Sequence, residues 1–195
     1  MPTVSIQGKT LSREHSLKYL GITFDRSLSF NLHVTHTVNR ARKGLVAVKT
    51  MAAAKMPQHI LLVLFKSLVL SVIDYGLGLL TLSATQLQRL DVIQNESMRS
   101  ILGCTRDTSA EAMRYRLDLP PMRDRHKLSQ VKAYVKVAAD TSNPLHDKIG
   151  RNVRCRLKRG SEWLTQAAKT IETSTPVHNV RKGKAWRAVE DPTEQ

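Results

Sequence analysis

KYLGITFDRSLSFNLHVTHTVNRARKGLVAV, residues 18–48, changes its period part-way through. Leu20, Ile22 and Phe24 alternate with smaller or polar neighbours, the two-residue repeat of a strand, and a polar turn then leads to Leu28 and Phe30. From Asn31 onward the repeat becomes helical. Val34, Val38, Ala41, Leu45, Val48 and Ala52 recur every three or four residues, a narrow apolar stripe down one side of a helix. With about 100° of rotation per residue, His33, His36, Arg40 and Lys43 fall on the other side. The stretch predicts a scrap of sheet running into a helix with one core face and one basic, histidine-bearing face.

The flanks extend that reading. Upstream, TVSIQG (residues 3–8) puts Val4 and Ile6 on one face of a short strand, and the polar KTLSREHS (9–16) connects it to the stretch above. Downstream, Pro57 suits the first turn of a second helix that is apolar nearly all round and stops before Asp74–Tyr75–Gly76. Ser83 offers an N-cap for a third, with Leu87, Leu90, Ile93, Met98 and Ile101 as its stripe and Gly103 as its stop. Thr108 and Glu111 have capping-box spacing for a short helix ending before Pro120. After Pro121, Leu128, Val131 and Val135 mark an amphipathic helix that runs to Asp140. Beyond it lie basic clusters, RNVRCRLKR (151–159) and VRKGKAWR (180–187), with one short helix expected near Trp163. The expected fold is mainly α: an N-terminal β-hairpin at 1–30, a helical bundle at 31–140 and a poorly ordered basic tail at 141–195.

Charge narrows the partners. The 195 residues hold 31 Lys and Arg against 16 Asp and Glu, a net charge of +15 with a pI near 10.3. The excess is spread along the chain, at +7 over 1–85, +3 over 86–140 and +5 over 141–195, which suits an extended surface for a polyanion. Nucleic acid is the commonest such partner. Cys104 and Cys155 are far apart and outside any Cys-x-x-Cys pattern, so no structural zinc site is expected. No secretory leader is visible at the N-terminus. The apolar run from Ile60 tempts a membrane reading, but Lys66 and Asp74 within it would each cost about 2.5–3.5 kcal/mol in a bilayer. A buried central helix is the expectation, with no membrane partner and an intracellular location, cytoplasmic or nuclear.

Five segments then stand in a recognisable order: KYLGITFDRSLSFNLH, the helix of Arg42 and Lys43, LFKSLVLSVIDYG, LQRLDVIQNESMRSILG and LDLPPMRDRHKL. The succession, over roughly residues 3–146, resembles the end of the reverse transcriptase of non-LTR (LINE-type, jockey-like) retrotransposons. That resemblance implies that Lys18, Tyr19, Leu20 and Gly21 match the primer grip, a hairpin closing the palm, and that the following helices are the thumb beside the template–primer duplex. A thumb holds an RNA–DNA hybrid through shape and phosphates rather than bases. His33, His36, Arg40 and Lys43 fit that task, and Arg123, Arg125 and Lys127 add a second basic cluster whose alternative is a solvated helix start.

Polymerase chemistry needs paired carboxylates to hold two metal ions. No two aspartates are adjacent here, and the family's Tyr-x-Asp-Asp-type turn is expected upstream of this sequence. No catalytic residue, metal site or cofactor is therefore assigned, although the parent polymerase would need Mg. The expected molecule is a fragment, without its palm and fingers, that binds template–primer without sequence preference. Two alternatives stay open: a domesticated helical module that docks proteins, and a non-functional relic of an inactivated element.

Overall fold

Two antiparallel strand pairs precede the helices. The computed structural model describes residues 5–6, 9–10, 14–149 and 163–174. Strand β1 (Ser5–Ile6) pairs with β2 (Lys9–Thr10), and β3 (Ser16–Tyr19) pairs with β4 (Ile22–Asp25), with Tyr19 opposite Ile22 and Ser16 opposite Asp25. The alternation at 20–24 therefore hid a turn. Leu20 and Gly21, at φ 44° and 81°, form a two-residue loop with both positions left-handed, the twist that closes a hairpin. Gly21 adopts that angle freely, and Leu20 is held in it by the Tyr75 hydroxyl, which donates to the Leu20 carbonyl at 2.5 Å. Leu20 thus sits 73% exposed at the tip, while Thr23 is the buried residue of β4.

A strained corner joins the hairpin to the first helix. Leu28 and Phe30 also have positive φ, 51° and 58°, which is costly for residues with a Cβ. Asp25 holds the corner: its carboxylate accepts from the Ser29 N–H (2.7 Å), the Phe30 N–H (3.3 Å) and the Ser29 hydroxyl. Burial works to raise the Asp25 pKa, but these bonds outweigh it and hold the group below its ordinary value. The ring of Phe30 meets Phe24 edge-on at 6.0 Å.

Helix α1 (Asn31–Ala53) turns Val34, Val38, Ala41, Leu45 and Val48 into the core, as their spacing predicts, and packs lengthwise on α4 (Ala84–Leu102). Between them runs α2 (Gln58–Phe65), a π-helical turn (Lys66–Leu70) and α3 (Ser71–Asp74). The wide turn lies where α1 comes nearest: a Cβ at Gly44 would stand 2.6 Å from the Leu68 carbonyl oxygen. By length and composition Gln58–Leu79 could cross a membrane. In this fold Leu61, Phe65, Val69 and Ile73 face the core, whereas Val63 and Leu68 are exposed.

Helix α4 begins with a full capping box. The Gln86 N–H donates to the Ser83 hydroxyl, and the Ser83 N–H donates back to Gln86 Oε1. It ends at Gly103, with Leu87, Leu90, Ile93, Met98 and Ile101 all buried. The expected box at Thr108 and Glu111 does not form. Helix α5 (Ala110–Leu117) starts one residue later, and its N-cap Ser109 makes no side-chain cap bond.

Helix α6 (Met122–Ala139) corrects a second reading. Leu128 is exposed and Val131 and Val135 are half-buried, while Met122, His126, Gln130 and Val137 face inward. The polar pair is accepted there because His126 Nε2 and Gln130 Nε2 both donate to the Leu80 carbonyl, at 2.8 and 3.2 Å. Helix α7 (Trp163–Ser174), the short helix expected near Trp163, packs on α6 through Leu164 and Ala167. The basic clusters at 151–159 and 180–187, and most of the 141–195 tail expected to be poorly ordered, lie outside the described residues. The chain is mainly helical, with its hairpin at the N-terminal end.

Candidate functional site

Hairpin β3–β4 lies against the first half of α1, and the space between them is the site. Thr23 is the joint. Its backbone N–H donates to Nδ1 of His33 at 3.3 Å, and its hydroxyl is 3.3 Å from Nδ1 of His36. Because Nδ1 of His33 accepts, that ring is neutral and carries its proton on Nε2. Burial lowers the His33 pKa, and the neighbouring charges of His36 and Arg40 push the same way. His33 is only 5% exposed, so it does not share the solvent-facing side expected for it. The helical wheel placed it opposite the apolar stripe, but the hairpin covers that part of the wheel.

The other basic residues meet as expected of one face. Arg40 and Lys43 are exposed on α1, with Val38 and Leu45 turned inward. Together with Lys18 from β3, Gly21 from the turn and His36, they line a cleft of about 340 Å³ roofed by Tyr75. No aspartate or glutamate lines it. Lys18, Arg40 and Lys43 have no ion-pair partner among the described residues. The cleft is thus open, cationic and rimmed by hydrogen-bonding groups, which suits the oxygens of an anion better than a metal ion. Among the described residues no group of three His, Cys, Asp or Glu side chains could hold a metal.

No family model matches the chain, and no solved structure matches it. Curated proteins do. It is 29% identical over 177 residues to an RNA-directed DNA polymerase from the mobile element jockey of Drosophila funebris, covering 81% of this chain and 19% of that protein. The jockey polymerase of Drosophila melanogaster matches at 27% over 173 residues, 81% of this chain and 18% of that one. A probable RNA-directed DNA polymerase from transposon BS of the same fly matches at 27% over 104 residues, 52% of this chain and 12% of that protein. The chain is a relative of non-LTR retrotransposon reverse transcriptases. It spans about a fifth of the length of the curated jockey relatives it matches.

The remaining expected site residues of this reverse-transcriptase relative fall elsewhere. Tyr19 and Leu20 are exposed beside the cleft without lining it. Arg125 is tied to Asp74, with Nε and one terminal nitrogen 2.6 and 2.5 Å from its two carboxylate oxygens. That bidentate pair fixes α6 to the end of α3 and takes the cation away from any ligand. Arg123 and Lys127 lie exposed on another side of α6. Five residues of the cleft were missed: Thr23, Thr37, Asn39, Val72 and Tyr75. Asn39 was available from the spacing, since 36, 39, 40 and 43 share one helical face. Thr23 and Tyr75 had no such signal; Tyr75 reaches the hairpin across 55 residues of sequence.

Proposed function

We infer that the chain binds template–primer nucleic acid, an RNA–DNA hybrid or a similar duplex, along the cleft between hairpin β3–β4 and α1, without reading sequence and without polymerising. The observation that carries this is the convergence of Lys18, Arg40 and Lys43 on one cleft free of carboxylates. In this reading residues 1–30 are the palm edge with its primer grip and 31–140 are the thumb, completed by the palm and fingers of a parent polymerase that supplies the Mg-binding carboxylates. Such a partner places the chain inside the cell, in cytoplasm or nucleus. Phosphate binding by cations releases counterions, so log K for a blunt RNA–DNA hybrid should fall against log salt by about 0.9 per phosphate held. Replacing Lys18, Arg40 and Lys43 with Gln should flatten that slope by about 2.7. A flat salt titration of the wild-type chain removes the reading.

A second reading has its own support. Val46, Val63 and Leu68 stand exposed on α1 and the α2–π segment, the surface a protein-docking module would present. Light scattering separates the two: a monomer that binds the hybrid excludes self-association through this surface.

A further inference from the structure

A second crevice, of about 640 Å³, opens between the start of α4 and the facing sides of α6 and α7. Its cations come from two helices: Arg123 and Lys127, one turn apart on α6, and Lys169 on α7. None of the three has an ion-pair partner among the described residues. The single carboxylate on the wall, Asp91, is engaged through Oδ1, which accepts from Arg114 at 3.0 Å and from the Met122 N–H at 3.1 Å, and it stands against three cations. So the crevice keeps a net attraction for anions.

The rest of its lining differs from the first cleft. Leu82 and Leu87 give it an apolar wall. His126 and Gln130, 4% and 2% exposed, form a polar floor held by the Leu80 carbonyl. Gln130 also donates to Gln166 Oε1 at 3.1 Å, which leaves the Gln166 amide NH₂ to a ligand, and Gln88 is exposed on the same lining. An inorganic anion would fill a small part of this volume. A ligand with a flat, partly apolar body, edge donors and acceptors, and one phosphate would meet the apolar wall, the amides and the cations together.

We propose that this crevice binds one unpaired nucleotide, its base against Leu82 and Leu87 with Gln88 and Gln166 at its edge, and its phosphate among Arg123, Lys127 and Lys169. The proposal rests on the reading of the chain as a nucleic-acid binder, and it assigns single-stranded and paired segments to different surfaces. A base-paired nucleotide cannot enter, because its edge is already occupied and its faces are stacked.

The test uses the full chain and fluorescence anisotropy with two probes, a 5′-phosphorylated single-stranded RNA hexamer and a blunt RNA–DNA hybrid. The double variant Lys127→Glu with Lys169→Glu should weaken hexamer binding about tenfold and change hybrid binding by less than about twofold, while Lys43→Glu does the reverse. Both variants change exposed residues and should keep the wild-type helical circular dichroism. Competition by a free nucleoside 5′-monophosphate, lost in the crevice variant, identifies the free nucleotide as a ligand. Hexamer binding without such competition identifies the strand. If the crevice variant binds the hexamer as the wild type does, or loses both probes equally, the crevice assignment is overturned. If the hybrid fails to bind while the hexamer binds through Lys127, the duplex cleft fails and this site stands.

Discussion

His33 and His36 lie three residues apart on α1 and both turn Nδ1 toward Thr23, yet only His33 is enclosed. Protonating it would set an N–H against the Thr23 N–H, and burial, His36 and Arg40 all resist the charge. His126 is lowered as well: burial pushes it down, against the Leu80 carbonyl, which favours the protonated ring. Both imidazoles therefore take up protons more readily unfolded than folded. Their contribution to stability is whole above the unfolded value of about 6.5 and is lost as pH falls below it through the lowered folded values. The melting temperature should be flat from pH 8 to 7 and drop toward pH 5, with a shallower drop in His33→Gln; a melting point unchanged down to pH 5 would contradict the neutral-ring geometry. Asp25, held low by its corner bonds, acts in a separate window below about pH 3.8, again with stability lost on the acid side.

Gly44 sets a second prediction at the same scale. Alanine in mid-helix gains about 1 kcal/mol over glycine, but overpacking costs about 1–3 kcal/mol. Here the new Cβ would press on backbone, the Leu68 carbonyl carbon and oxygen, which cannot swing aside as a side chain does. Gly44→Ala should therefore lose up to about 2 kcal/mol in urea unfolding rather than gain. The sequence shows a glycine in a helix and suggests a weak spot. Only the packed partner turns the weak spot into a requirement.

Among the elements, α4 was the most legible and α6 the least. The α4 stripe, its Ser83 cap and its Gly103 stop are local signals, and each is found where its spacing places it. Gln86 adds what spacing does not show: Nε2 donates to the Ser29 carbonyl and to Asn31 Oδ1, both at 2.7 Å, tying the starts of α4 and α1 together. Ser83→Ala should cost about 1 kcal/mol as a lost cap. Gln86→Ala should cost about 2 kcal/mol, since it strips the return bond of the box and both tethers. Equal losses in chemical unfolding would mean the tethers are worth nothing. On α6 the apolar residues were the wrong guide, because an available carbonyl at Leu80 makes His126 and Gln130 cheaper to bury than their polarity suggests.

For the whole molecule the surplus of cations works in two directions. A net charge of +15 makes the compact state repel itself, and salt screens that repulsion over a Debye length falling from about 30 Å at 0.01 M to about 8 Å at 0.15 M. The free chain should melt higher at 0.15 M than at 0.01 M salt. Its affinity for the hybrid should fall over the same range. Parallel trends in both measurements would separate the charge from binding and leave it as a general surface property.

Composition and period alone determined that this chain is cationic along its length, mainly helical after a short piece of sheet, and cored by the α1 and α4 stripes. Those features depend on neighbours within a turn or two, which a linear pattern records. Which cations remain free was decided by tertiary structure: Asp74 claims Arg125 from 51 residues away, and the hairpin folds over His33 while leaving Arg40 and Lys43 open. A charge is available to a ligand only if nothing in the fold reaches it first. That is a fact about distance in space, and spacing along the chain does not contain it.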